Sequence, residues 1–293
     1  MACRKLLMKN QFNKKILVLG SNGQLGSEFQ KVLIEEGYNN VCLNRNECDI
    51  TNFLQVTQCI SSIKPDIIIN CVAFNAVDDA ELKSDIVFLT NAYAVKNLAE
   101  LCKVNKIFFV HYSSDYVFNG EKGDFYNEND LPNPLNIYGE SKLLGESFIS
   151  EILSEYLIFR LSWVIGRGKQ NFLYKLSNWA KQNKVLKISS DEVSVPTFTP
   201  DIVSLTLLSL KKRISGLYHL TNSGYASRYE LSKYFIKKVE LDNIIMPVPL
   251  SQFSTKAQRP LFSAMTNELL SKILNISIPT WDQSLDLFVQ YTI

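Results

Sequence analysis

The sequence predicts an α/β protein, a doubly wound parallel sheet followed by a smaller C-terminal half. Three observations predict it. Short apolar runs alternate with helical patterns over residues 15–161, as right-handed βαβ units do. A glycine-rich turn, Gly20-Ser-Asn-Gly-Gln-Leu-Gly26, separates the first apolar run from the first helix. Beyond Trp163 the alternation loosens, so the second half does not continue the same rhythm.

Each element has its own warrant. Lys15-Ile-Leu-Val-Leu19 is an apolar run closed by glycine, the pattern of a strand buried on both faces. Leu25, Phe29, Val32 and Leu33 then recur at helical spacing, and Gly37 stops that helix. Val41-Cys-Leu43 reads as the second strand, and Pro65-Asp-Ile-Ile-Ile-Asn-Cys71 holds the third. Residues 84–104 read as one long helix, 107–112 as a strand, 136–154 as a helix and 157–161 as a strand. In the second half, 171–183 is helical and 191–200 is a loop with two prolines. Residues 201–213 read as a helix capped by Asp201, and 216–220 as a strand. Ser227, with Glu230 three residues on, forms a capping box for a helix ending at Val239. Two proline-flanked pieces and a helix over 282–290 close the chain.

Composition narrows the classes. With 293 residues, 46% hydrophobic and 20% charged, the chain has ample core. A net charge of +2 provides no field for nucleic acid or an acidic membrane. No apolar run reaches the length that spans a bilayer. Near the start, Arg4, Lys5 and Lys9 surround Leu6-Leu7-Met8, too short for a secretory signal; residues 1–13 read as a flexible extension. Cys3, Cys42, Cys48, Cys59, Cys71 and Cys102 form no Cys-x-x-Cys pair, which points to free thiols and a cytoplasmic location. The two histidines, His111 and His219, lie in strand-like runs and read as packing residues. Neither a zinc site nor a histidine triad has enough material, so no metal is expected.

The chemistry concentrates at Tyr112-Ser-Ser-Asp-Tyr-Val-Phe118 and Tyr138-Gly-Glu-Ser-Lys142. Tyr138 and Lys142 are four apart, on one helix face. A phenol has an ordinary pKa near 10, and a nearby ammonium lowers it enough for general acid work. Ser114, at the end of an apolar strand, is placed to hydrogen-bond the same oxygen. Such a set suits carbonyl reduction with hydride from a cofactor. Tyr229/Lys233 and Tyr234/Lys238 have the same spacing but read as exposed faces with lysine heads in water. The turn through Gly20, Gly23, Gln24, Leu25 and Gly26 suits a dinucleotide pyrophosphate at a helix N-terminus. At the end of the second strand Asn44 replaces the usual acid and Arg45 is available for a 2′-phosphate, which favours NADPH over NADH. Asp49 and Ile50 are placed to flank the adenine, and Val72, Ala73 and Phe74 the nicotinamide side. Trp163 follows an apolar strand and is either core or ligand; Asp115 either caps the following turn or faces the pocket.

These motifs resemble those of the dTDP-4-dehydrorhamnose reductases, an atypical branch of the extended short-chain dehydrogenase/reductases. The resemblance runs from Lys15 to the last helix. It rests on the glycine turn, Asn70-Cys-Val-Ala-Phe-Asn-Ala-Val-Asp78, the two motifs around Ser114 and Tyr138, Arg160-Leu-Ser-Trp163, Val195-Pro-Thr197, Gly216-Leu-Tyr-His219 and Arg259-Pro260. It implies a Rossmann domain over residues 14–165 and a mainly substrate-binding domain over 166–293, with some segments returning to the sheet. It implies reduction of the C4 ketone of dTDP-4-dehydro-L-rhamnose by NADPH or NADH. Tyr138 is then the proton donor, Lys142 its partner on the nicotinamide ribose and Ser114 the polarising hydroxyl; Tyr112 borders the cofactor. Ser114, Asp115, Tyr116 and Trp163 line the sugar pocket. Ser114 stands where the family often has threonine, and Arg228 where an aromatic residue is common. The partner is a dTDP-sugar, with a homodimer admitted. Two alternatives stay open: a reductase giving another dTDP-6-deoxyhexose, and a non-catalytic NADP-binding subunit like that of methionine adenosyltransferase.

Overall fold

A computed structural model describes residues 12–292, so nearly all of the expected N-terminal extension, Cys3 included, lies outside the described residues. Five strands lead the chain: β1 (Ile16–Leu19), β2 (Asn40–Leu43), β3 (Ile67–Asn70), β4 (Phe108–Ser114) and β5 (Tyr156–Leu161). Four short ones lie off the main sheet: β6 (Val164–Ile165), β7 (Val185–Ser189), β8 (Val193–Ser194) and β9 (Thr197–Phe198). Then β10 (Gly216–His219) returns to it, giving a parallel sheet in the order β10-β5-β4-β3-β1-β2. β11 (Ala226–Ser227) pairs with β8, and β12 (Ile244–Val248) with β7. From β1 the chain goes to β2 on one side and then to β3 on the other. The crevice outside the carboxyl ends of β1 and β3 is the switch point where ligands bind in such sheets.

Alternation along the strands builds two cores, one per sheet face. Ile16, Val18, Ile67, Ile69, Val110, Leu157 and Phe159 face one side. There they meet Leu25, Phe29 and Leu33 of α1 (Gln24–Glu35) and Ile202 and Val203 of α8 (Thr199–Lys212). Leu17, Leu19, Ile68, Phe109 and Ile158 face the other, against Val56 and Ile60 of α2 (Phe53–Ile63) and Val95 and Leu98 of α5 (Ala94–Asn105). Each such side chain contributes roughly 1.5–3 kcal/mol of transfer free energy when fully buried. A further core joins Leu173 and Leu176 of α7 (Phe172–Gln182), Leu231 and Phe235 of α9 (Arg228–Lys238), and Leu285 of α11 (Trp281–Thr292).

Several elements differ from the sequence reading. The helix expected over 84–104 is α4 (Ser84–Phe88), a π-helical turn (Leu89–Tyr93) and α5. The extra residue in the π turn brings Asn91 inward and fully buries it. Asp201 is not a cap: α8 begins at Thr199, and the Asp201 carboxylate accepts from Asn222 Nδ2 (2.9 Å) and Ser284 Oγ (2.6 Å), tying α8 to α11. The loop expected at 191–200 contains β8 and β9, strands too short for periodicity to reveal. α2 was not expected, although Asn52 caps it by accepting from Gln55 N. The Ser227–Glu230 capping box forms as read. Cys42, Cys48, Cys59, Cys71 and Cys102 are free thiols.

Candidate active site

A cavity of roughly 980 Å³ lies along the carboxyl ends of the central strands, bordered by both halves of the chain. The glycine turn forms its floor. Gly20 has φ of +83°, a conformation glycine adopts without penalty, and the N–H groups of Gly20 and Ser21 both donate to Leu43 O. Gly26 is off the wall but indispensable to it, because a Cβ there would stand 2.2 Å from Gly20 O. α1 starts at Gly23 without a side-chain cap. By contrast α2, α7 and α9, and the helix α6 (Ile137–Ile152), are capped by Asn52, Asn171, Ser227 and Asn136. Gly23, Gln24 and Leu25 line the cavity, so the uncapped first turn offers its N–H groups to an anion. A dinucleotide pyrophosphate fits that chemistry. The Gln24 side-chain oxygen Oε1 is already engaged, accepting from Gly166 N and Asn171 Nδ2 at 3.1 Å each.

Around β2 the expected residues divide. Arg45, Asp49 and Ile50 border the cavity, whereas Asn44 does not. Asn44 shapes the turn instead: its Oδ1 accepts from Asn46 N and its N–H donates to Glu47. The Arg45 side chain is 82% exposed and donates to Asp49 Oδ2 at 3.2 Å. Past β3, Val72, Ala73 and Phe74 form a wall. Asn91, missed by the sequence reading, holds it by accepting from Phe74 N (2.8 Å) and donating to Phe74 O (3.0 Å). Its only sequence signal is a polar residue within an otherwise helical stretch.

Ser114, Tyr138 and Lys142 border one stretch of this cavity. α6 packs close because it carries glycines where it crosses other backbone: a Cβ on Gly139 would meet Tyr116 O at 2.2 Å, and one on Gly145 would meet Asn91 O at 2.4 Å. Lys142 is 1% exposed. Its Nζ donates to Tyr112 O at 2.5 Å and lies 3.3 Å from His111 Nε2. Burial pushes its pKa down to about 8, against the pull of Glu146. The Tyr138 phenol is pushed up to about 12 by burial; a hydrogen bond with Ser114 opposes this and Asp115 reinforces it. This corrects the expectation that the lysine depresses the phenol, since its Nζ is turned to the sheet and desolvation dominates.

The remaining expected residues are placed as follows. The Tyr112 ring lies in the core, stacked on Phe159, with its hydroxyl on Thr206, while its main-chain carbonyl takes the bond from Lys142 at the cavity. Asp115 does not cap the turn, for Ser114 Oγ does so by accepting from Tyr116 N. Instead the Asp115 carboxylate sits in a cage of serine hydroxyls: Ser114 at 3.1 Å, Ser162 at 3.2 Å, Ser194 at 2.8 Å and Ser263 at 2.6 Å. Burial holds its pKa above the usual carboxylate range despite those bonds. The Tyr116 ring meets Tyr138 edge-on at 5.9 Å. Trp163 has φ of +35°, and the Arg228 guanidinium covers one face of its ring at 3.5 Å while facing Glu192 at 3.6 Å. A second-half segment closes on the rim, where Asp78 accepts from Lys256 N, Ala257 N and Arg259 Nη2. Among the described residues no helix is long and apolar enough to cross a membrane.

Comparison with known proteins places this geometry among relatives. The model of the RmlD substrate binding domain matches residues 14–292. The chain is 34% identical over 293 residues to a dTDP-4-dehydrorhamnose reductase of Burkholderia thailandensis, covering 94% of this chain and 98% of that one. It is 32% identical to a spore coat polysaccharide biosynthesis protein of Bacillus subtilis, covering 94% and 97%. The solved structure of the Bacillus anthracis dTDP-4-dehydrorhamnose reductase in complex with NADP superposes with a TM-score of 0.92 at 31% identity, covering 96% of this chain and 100% of that one.

Proposed function

The chain belongs to the dTDP-4-dehydrorhamnose reductase family, and from that premise we propose its reaction: reduction of the C4 ketone of dTDP-4-dehydro-L-rhamnose to dTDP-L-rhamnose. The observation that carries the reading is that an uncapped glycine-turn helix and the Ser114, Tyr138, Lys142 set border a single cavity. NADPH, when bound, supplies the hydride. The N–H groups of Asn22, Gln24 and Leu25 would hold its pyrophosphate, Arg45 its 2′-phosphate, and Val72 to Phe74 its nicotinamide side. Lys142 holds the nicotinamide ribose. Tyr138 gives its hydroxyl proton to the alkoxide oxygen forming at C4, and Ser114 donates a hydrogen bond to that oxygen. Without substrate Ser114 gives its one O–H to Asp115 Oδ1 at 3.1 Å, and it turns that O–H to the substrate oxygen when the ketone enters, while Tyr116 and Trp163 border the sugar. Residues 14–165 form the dinucleotide-binding domain, and most of 166–293 serves the substrate.

The test is coenzyme oxidation on adding dTDP-4-dehydro-L-rhamnose, with the product sugar identified by NMR. Turnover to dTDP-L-rhamnose is expected. A different 6-deoxyhexose moves the reading to a sister reductase. Tight NADPH binding without turnover replaces it with that of a non-catalytic coenzyme-binding subunit.

A further inference from the structure

In the cavity wall, polar side chains from three elements touch in line: Asn70 at the end of β3, His111 in β4 and Lys142 in α6, of which Asn70 and Lys142 line the cavity. They are 1%, 0% and 1% exposed, so their bonding is settled among themselves. The direction of each bond follows from its ends. Val72 N–H can only donate, and it donates to Asn70 Oδ1 at 3.1 Å. That orients the amide, whose Nδ2 faces His111 Nδ1 at 3.2 Å. An amide NH₂ only donates, so Nδ1 is the unprotonated ring nitrogen and Nε2 carries the proton. Nε2–H therefore points at Lys142 Nζ, 3.3 Å away. At the far end the Tyr112 carbonyl can only accept, and it takes an N–H from Nζ at 2.5 Å. All four bonds run one way, from Val72 through Asn70, His111 and Lys142 to Tyr112. The run closes only if Nζ has a lone pair. An amine has one; an ammonium would meet Nε2–H with another N–H.

We propose that Asn70 and His111 are positioning residues that favour the neutral amine of Lys142, leaving it one N–H beyond the bond to Tyr112 for a ligand in the cavity. The functional consequence rests on the role given above to Lys142. Other titratable groups around this lysine do not reverse the argument. Glu146, one turn along α6, favours the ammonium, but its carboxylate is bound by Arg160 of β5 at 3.0 and 2.7 Å. Tyr138 on the same helix, with Asp115 beside it, and Tyr112 and Cys71 on the sheet side all have raised pKa values, so the tyrosines and the thiol stay neutral near pH 7. Burial, and then the Lys142 charge, holds His111 well below the ordinary imidazole value. The histidine therefore does not titrate in the neutral range, and Lys142 does.

The tautomer is read directly by nitrogen NMR of histidine-labelled, cofactor-free full chain, which needs no variant. The Nε2–H form is expected at about pH 9, above the Lys142 value of about 8 where the amine prevails; an Nδ1–H form there overturns the proposal. The second arm uses Asn70→Asp, close to isosteric. A carboxylate still accepts from Val72 N–H but also from Nδ1–H, so it turns the imidazole over and offers Nζ a lone pair. The Lys142 titration, followed by carbon NMR of its Cε, should rise by at least about one unit, a tenfold gain in proton affinity. Most of that rise should vanish when His111→Phe is added, because the histidine transmits it. A rise that survives intact reflects the new charge alone and overturns the proposal. If the chain reduces no sugar, the Nε2–H result still stands and only the role of Lys142 fails.

Discussion

Tyr138→Phe removes one oxygen and keeps the ring that packs edge-on against Tyr116. Fold and NADPH binding should persist while turnover falls by roughly 10²–10⁴, the usual worth of general acid catalysis. Ser114→Ala should cost less, on the order of 10²–10³, because Tyr138 still holds the oxygen. Steady-state kinetics with calorimetric NADPH binding checks both, and full activity in Tyr138→Phe refutes the assigned proton donor. Arg45 is 82% exposed, so a contact with a 2′-phosphate, as proposed above, would be a surface pair worth about 0.2–1 kcal/mol. Arg45→Ala should weaken NADPH binding by up to about fivefold and leave NADH unchanged; equal losses for both coenzymes rule this out. Asp115 supplies a pH signature. Its folded pKa is raised above the unfolded value by burial. The native state then holds the extra proton in between, so stability is fully present below the ordinary carboxylate range and is lost as pH rises through the folded value. Asp115→Asn carries no charge to desolvate. Its stability relative to wild type should increase as pH rises through that window, which urea unfolding at a series of pH values measures; a flat difference contradicts the buried charge.

α6 can serve the site only because it lies against backbone. Gly145 faces Asn91 O in the π turn, and Asn91 in turn holds Phe74 by two hydrogen bonds. Gly145→Ala would put a Cβ 2.4 Å from that carbonyl, so helix and turn must separate. A cost of roughly 1–3 kcal/mol is expected from such overpacking. Weaker NADPH binding should accompany it, because the wall at Val72 to Phe74 loses its support. Denaturant midpoints and coenzyme titration test the two effects together. Loss of stability with unchanged coenzyme affinity would uncouple the π turn from the site.

On the scale of the whole molecule, polar ties join the two halves across the cavity. Asp78 is one, receiving two backbone N–H groups and the Arg259 guanidinium from residues 256–259. Asn136 adds another by donating to Gln258 O while capping α6. Asp78→Ala leaves those donors without their acceptor and should cost about 1–3 kcal/mol. Residues 256–259 should exchange amide hydrogens faster, and the KM for the sugar should rise with NADPH affinity little changed. An unaltered KM together with faster exchange would show that the segment does not position the sugar.

The parallel sheet, its strands up to Leu161 and the glycine turn were legible because they rest on local rules: apolar runs, helical spacing and glycine where backbone must turn; the order of strands in the sheet was not read. That Tyr138, Lys142 and Ser114 belong together was legible for the same reason, since residue type and spacing survive in one dimension, and the three border one cavity. What a side chain does once buried was not. Lys142 turns to Tyr112 O rather than lowering the phenol, Tyr112 spends its ring in the core, and Asp115 is enclosed by serines drawn from four separate stretches of chain. The π turn at Asn91 and the direction of the Asn70–His111–Lys142 run likewise depend on partners 17 to 50 residues away. Sequence patterns record which residues are polar or apolar. Desolvation and hydrogen-bond pairing are set by neighbours that only the tertiary structure supplies, and these decide how the site is charged.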